Sequence, residues 1–205
     1  MMKSVMAIGM LVVYLGLSLF LPTNSIGESG LRTYDSGGLS FQYPMSLKPL
    51  KPSSAEKIRN MINTQMNSMG NTQSSVIALD VLLDQPGFRV LISKERFVAE
   101  PTPQYLIKEK QYLFAEAQKR GGINSYGAIQ EKRIAGHPMI EFKDIDKGPQ
   151  GYGSNVTILC GMDTWNFSFF GNHRENYENH LNAVKQIMGS VEVSGTCRRS
   201  KEVLS

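Results

Sequence analysis

Three histidines, two cysteines and a series of methionines are the side chains of this 205-residue sequence with the most obvious chemical potential. His173 and His180 are seven positions apart on a predicted last helix, about two turns or roughly 10 Å along its axis. That is too far for one metal ion to take both, and beside Glu175 and Glu178 they read as solvated residues. His137 precedes Pro138 between two predicted strands and reads as a turn residue. Asp144 and Asp146 would share one face of a strand with Glu141 nearby, where carboxylates could hold a hard cation. Next to the glycines that follow them, a solvated strand end is the simpler reading. No nucleophile elbow, H-E-x-x-H pair, phosphate loop or dinucleotide fingerprint occurs. The pattern therefore predicts no catalytic residue, no cofactor, no metal site and no enzymatic activity.

Met61, Met66 and Met69, with Met45 upstream, form the methionine series. Thioethers suit Cu(I), but methionine also fills cores and adaptable binding surfaces. Packing is the first expectation, a partner-binding surface the second and copper the third. Trp165, Phe167 and Phe169 alternate on one face of a predicted strand, with Phe170 opposite. They read as sheet core; left uncovered, they would form a ligand or partner patch. Cys160 and Cys197 are expected to pair as a disulfide if the chain is exported. The bond would close a loop of about 38 residues and stabilise by about 3–4 kcal/mol on chain-entropy grounds. Two buried thiols are the alternative. Zinc is disfavoured because no histidine lies at ligand spacing from either cysteine. Two glycosylation sequons, Asn155-Val156-Thr157 and Asn166-Phe167-Ser168, fall inside predicted strands.

The elements that must position these residues start after an apolar leader. Lys3 is the only charge before Glu28, and Val5 to Leu21 is an uncharged run of seventeen residues. Pro22, Ser25 and Gly27 follow in the manner of a signal-peptidase site, which predicts a secretory signal peptide over 1–27. An uncleaved N-terminal membrane anchor is the alternative. The expected location is periplasmic or secreted, with any membrane contact confined to that segment. The formal charge is +4, with 22 basic and 18 acidic residues spread along the chain. Nucleic acid is excluded as a partner class because no element concentrates the basic residues.

Leu39-Ser40-Phe41-Gln42-Tyr43-Pro44 alternates as a strand, stopped by proline and expected near a sheet edge. Ser53 and Glu56 have capping-box spacing for a helix to about Met69, with Ile58, Met61, Ile62 and Met69 near one face. Val76–Leu83 and Phe88–Phe97 read as strands, the first central and covered on both sides, with Val76 facing away from Ile77, Leu79 and Val81. Thr102 and Pro103 open a helix to about residue 120, its stripe Leu106, Ile107, Leu113, Phe114 and Ala117. Four strands follow, at 125–134, 138–145, 152–160 and 164–170. One helix, 174–188, comes next with Tyr177, Leu181, Val184 and Met188 inward. A short strand at 191–193 ends the series. Hairpin-length connections between blocks of strands predict an α+β domain, an antiparallel sheet with helices packed on its faces, over residues 28–197. Residues 198–205 read as a polar tail.

The order of these pieces resembles PsbP-like domains. The carriers are the aromatic strand GLSFQYP at 38–44, the helix at 103–120, EKRIAGHPMIEF at 131–142, a last hairpin and a C-terminal helix running into Ser190-Val191-Glu192-Val193. The PsbP-like fold is shared with a Ran-binding nuclear-transport factor and with small bacterial envelope proteins. The methionine-rich helix looks like an insertion in that pattern. The photosynthetic members act in the thylakoid lumen as accessory proteins and not as enzymes. The resemblance implies a non-enzymatic accessory or protein-binding role in the cell envelope, with a small-ligand or copper carrier as the alternative. It carries over no binding residue.

Overall fold

A computed structural model of the chain describes residues 30–68, 73–84, 87–119, 121–148 and 151–194. The expected signal segment, Met69, Cys197 and the tail lie outside the described residues. Among the described residues no helix is long and apolar enough to cross a membrane.

The opening hairpin joins β1 (Leu31–Ser36) to β2 (Leu39–Pro44) through Gly37 and Gly38, both at positive φ (58° and 90°). A two-residue turn of this hand matches strand twist, and only glycine adopts it without strain. Leu39, Phe41 and Tyr43 face the core. β2 is not an edge strand as expected. It is the middle of a separate three-stranded sheet, between β1 and β10 (Glu192–Val193). β10 pairs only with Leu39 and Ser40, so Pro44 lies beyond its reach and costs no ladder hydrogen bond there.

The remaining strands form a seven-stranded antiparallel sheet in the order β3-β4-β5-β9-β8-β7-β6. The ranges are β3 Lys48–Pro49, β4 Ser74–Asp84, β5 Phe88–Phe97, β6 Ile129–Ile134, β7 His137–Asp146, β8 Tyr152–Cys160 and β9 Asp163–Gly171. On one face, Val90, Ile92, Ile158, Trp165, Phe167 and Phe169 pack against the small sheet and the C-terminal helices. The other face carries two further clusters. One lies under α1 (Pro52–Ser68), with Ala55, Ile62 and Met66 on Val76, Leu79 and Val81. The second lies under α2 (Pro103–Lys119), with Leu106, Leu113 and Phe114 on Ile140, Phe142 and Phe170. This is the expected α+β arrangement, with two sheets instead of one.

Local departures from the sequence pattern have physical causes. α1 begins at Pro52, one residue before the expected capping box. The Lys51 carbonyl takes the Ala55 N–H at 3.1 Å, and Glu56 turns to Arg59 at 3.4 Å. At α2 the expected cap holds: the Tyr105 N–H donates to Thr102 Oγ1 at 3.1 Å. A bulge between Val76 and Ala78 puts Val76 in the same cluster as Leu79 and Val81, not opposite them. Asn63 of α1 caps the bulge: its amide nitrogen donates to the Val76 carbonyl at 2.8 Å, and its oxygen accepts the Val76 N–H at 2.9 Å. The last helix is two helices, α3 (Arg174–Asn179) and α4 (Leu181–Gly189), broken at His180. The His180 N–H bonds to Tyr177 at 3.0 Å, a three-residue step that interrupts the 3.6 period. Ala183 and Ile187 therefore turn inward, and Leu181, expected in the stripe, is exposed.

Candidate functional site

Between α1 and α2 the large sheet presents a polar floor. Alternation along the strands makes it: every residue next to Phe167 and Ile92 points to the opposite face. One row across β5, β9 and β8 is Leu91, Ser168 and Asn155; the next is Ser93, Asn166 and Thr157. Ile62 and Met66 of α1, with Val76 and Leu79 of β4, wall a pocket of about 50 Å³ over this floor. Glu95, Lys110 and Val156 also line it. Thr157 Oγ1 donates to Asn166 Oδ1 at 2.7 Å, and the Asn166 amide donates to Thr164 at 3.3 Å. Ser74 donates to Glu95 at 2.5 Å. Asn155 Oδ1, by contrast, is buried without a partner. The groove continues toward Glu109 and Leu106 of α2. Burial pushes the Glu109 carboxyl above its ordinary value; Lys110 opposes this and Glu95 adds to it.

A second buried polar group sits farther along the same sheet face. Lys147 is 4% exposed, its ammonium nitrogen has no hydrogen-bond partner, and it lies 3.8 Å from the Phe170 ring centre. Burial, with the positive charge of Arg89 added, holds its amine well below the ordinary lysine range. Burial likewise lowers Arg89.

The histidines and carboxylates weighed for chemistry in the sequence do not come together. His180 is not solvated: its ring stacks on Phe88 at 4.3 Å, Nδ1 is 2.6 Å from the Asn176 carbonyl, and Nε2 is 3.0 Å from Asp84 Oδ2. Both ring nitrogens are engaged, so none is left to act on a substrate, and the pair ties β4 to the α3–α4 junction. His173 is the N-cap position of α3. His137 opens β7 after the turn Ala135-Gly136. A bulge between Phe142 and Ile145 separates Asp144 from Asp146, and Asp144 takes φ 52°. Asp144 accepts from the Tyr152 hydroxyl at 2.5 Å, whereas Asp146 accepts from the Gly148 N–H at 2.7 Å. Burial and the bond to Asp144 push the Tyr152 phenol up to about 12. Glu141 pairs with Lys132 at 2.6 Å. No group of three or more metal-ligating side chains occurs among the described residues.

Met61 and Met66 diverge. Met61 is 40% exposed, whereas Met66 is buried in the groove wall. Five residues separate them, about 140° around a helix, so they do not converge on one ion. Trp165, Phe167 and Phe169 are buried beneath β2 and α4, so they are core and present no surface. Cys160 ends β8, and the described residues hold no free cysteine. The groove floor and Lys147 escaped the sequence reading. The available signal was the polar alternate of the aromatic strand, Asn166 and Ser168, repeated at Ser93 and at Asn155 and Thr157.

No family model matches the sequence, and no curated protein matches it. Among solved structures, the solution structure of cyanobacterial PsbP (CyanoP) from Synechocystis sp. PCC 6803 is similar, with TM-score 0.52 at 11% identity. The likeness covers 88% of this chain and 99% of that one. The chain therefore has a PsbP-like fold.

Proposed function

We propose that this chain is an exported, non-enzymatic accessory domain that acts in the cell envelope by binding a protein partner. One observation carries the reading: the PsbP-like fold, shared with CyanoP over 99% of that protein's chain. The family resemblance in the sequence implies an accessory role for such a domain, and the leader over 1–27 supplies the export signal. In this reading the partner lies on the outer side of α1 around Met61, which is 40% exposed. Cys160 and Cys197 pair in the exported form, consistent with the lack of a free cysteine among the described residues. The groove beside α1 favours a second reading, a small-ligand carrier; the divergence of Met61 and Met66 gives its copper version no support.

In-cell crosslinking of the tagged full chain, followed by mass spectrometry of the envelope or secreted fraction, tests the first reading. The expected result is one reproducible protein partner and an intact mass showing a cut after Gly27. Recovery of the protein alone, or an uncleaved chain in the cytoplasm, would refute it.

A further inference from the structure

A carboxyl interrupts the stripe by which α2 meets the sheet. Leu106 and Leu113 are buried in one cluster with Ile140 and Phe142. Glu109 stands between them, three residues after the first and four before the second, a spacing that shares one helix face. Glu109 and Leu106 line a cleft of about 10 Å³ with Glu95 of β5 and with Thr157, Thr164 and Asn166 of the floor. Such a space holds about one water. The donors around it are engaged elsewhere: Thr157 donates to Asn166, the Asn166 amide to Thr164, and Ser74 to Glu95. The Glu109 carboxyl makes no hydrogen bond or ion pair among the described residues. The charged groups that face it are Glu95 from β5 and Lys110 from α2 itself. Burial, then Glu109 and Glu95, push the Tyr105 phenol above its ordinary value, so both carboxyls and the phenol share this cleft.

We propose that Glu109 is a proton-controlled latch for α2: with its proton on, the helix is docked on the sheet, and with the proton off, the N-terminal half of the helix lifts from the floor. An unpaired carboxylate is far more costly to bury than the neutral acid. Lifting lets water reach the carboxylate and takes it away from Glu95. Leu113 and Phe114 keep the other half of α2 on Phe142. Lys110 attracts the carboxylate and opposes the release, but burial is the larger influence and Glu95 adds to it. The folded carboxyl titrates above its ordinary 4.5. Docking is therefore firmest below 4.5 and weakens as pH rises from there through the raised value. The groove that α2 walls on this side is narrower in acid than at neutral pH. This device is independent of the protein-partner reading, and neither depends on the other's success.

The test is amide hydrogen exchange of the full chain at a series of pH values from 4.5 to 8, each rate divided by the intrinsic rate at that pH. A helix of this length is marginal once undocked, so lifting shows as faster exchange. Protection over residues 106–111 is expected to fall about threefold or more between pH 4.5 and 8, and to fall less at Phe114 and at Phe167. Glu109→Gln, checked for fold by circular dichroism, is expected to keep these amides protected at both ends of the series. Glu95→Gln is expected to make the fall smaller. Protection over 106–111 that does not change with pH overturns the proposal, as does an equal fall at Phe167. So does a fall as large in Glu109→Gln as in the parent, or one left undiminished by Glu95→Gln.

Discussion

Replacing Lys147 with Met is expected to stabilise the protein, because the native side chain carries an amine where the fold offers no partner. Lys147 is 4% exposed, and its nitrogen is buried without a hydrogen bond, 3.8 Å from the Phe170 ring centre. A buried polar group left unsatisfied costs about 1–3 kcal/mol. Methionine has a stem of similar length that keeps the packing on Phe170, and it loses only the contact of the nitrogen with the ring. The net gain should be about 1–2 kcal/mol, or a rise in Tm of about 2–8 °C for a chain of this size. The pH dependence gives a second signature. Burial and Arg89 lower the folded amine below its ordinary value of 10.5, so between the lowered folded value and 10.5 the unfolded chain binds the extra proton. Stability therefore rises with pH through this group. Its penalty is absent above about 10.5 and grows as pH falls from there toward the lowered folded value. Urea unfolding of both proteins from pH 7 to 10.5 reads the difference directly. The advantage of Lys147→Met should be largest at pH 7 and shrink toward pH 10.5. A variant less stable than the parent at pH 7, or an advantage that does not change with pH, would refute the reasoning.

Three further outcomes follow from the same geometry. Asp163 accepts from Arg96 at 2.8 Å and lies 3.2 Å from Lys94, which together hold its carboxyl below the ordinary value despite partial burial. Its stabilisation is present above the unfolded value of 3.8 and is lost as pH falls through the folded one. Asp163→Asn should therefore lower stability at pH 7 and match the parent at the acid end of an unfolding series; a constant difference at all pH values would contradict this. Asn63→Leu removes both hydrogen bonds to Val76 at the β4 bulge, at a cost of about 1–3 kcal/mol. Hydrogen exchange at Val76 and Leu79 should speed up more than exchange at Phe167, and a uniform change would count against a local cap. Cys197→Ser should lower Tm under oxidising conditions by an amount equivalent to about 3–4 kcal/mol; identical melting of parent and variant would remove the proposed disulfide.

Much of the fold was legible because its signals are local. The alternation of Leu39, Phe41 and Tyr43 and of Trp165, Phe167 and Phe169 marks strands with one apolar face, and each of these residues is buried. Thr102 followed by Pro103 marks the start of α2, and the threonine hydroxyl makes the expected bond. The misreadings fall where an irregularity shifts a period. The bulge at Val76 moves one residue to the other face, and the break at His180 rotates Ala183 and Ile187 inward in place of Leu181. A one-residue shift in register reverses every later face assignment, and nothing in the residue types at 76–78 announces it. The site was less legible than the fold. Ser93, Asn155 and Ser168 are unremarkable as single positions. They form a floor only because β5, β9 and β8 become neighbours, although β9 follows β5 by more than sixty residues.

The sequence by itself determined the periodic elements, the hydrophobic faces and an α+β domain of PsbP-like order, because side-chain period and turn chemistry act over a few residues. Tertiary structure alone decided which faces are covered. It turned the aromatic strand into core by laying β2 and α4 on it, and it separated Met61 from Met66 by burying only one side of α1. It also stacked His180 on Phe88 beside Asp84, and left Asn155 Oδ1 and the Lys147 nitrogen buried without a hydrogen bond. Burial and pairing depend on what the chain brings back from far along its length, and no local pattern encodes that return.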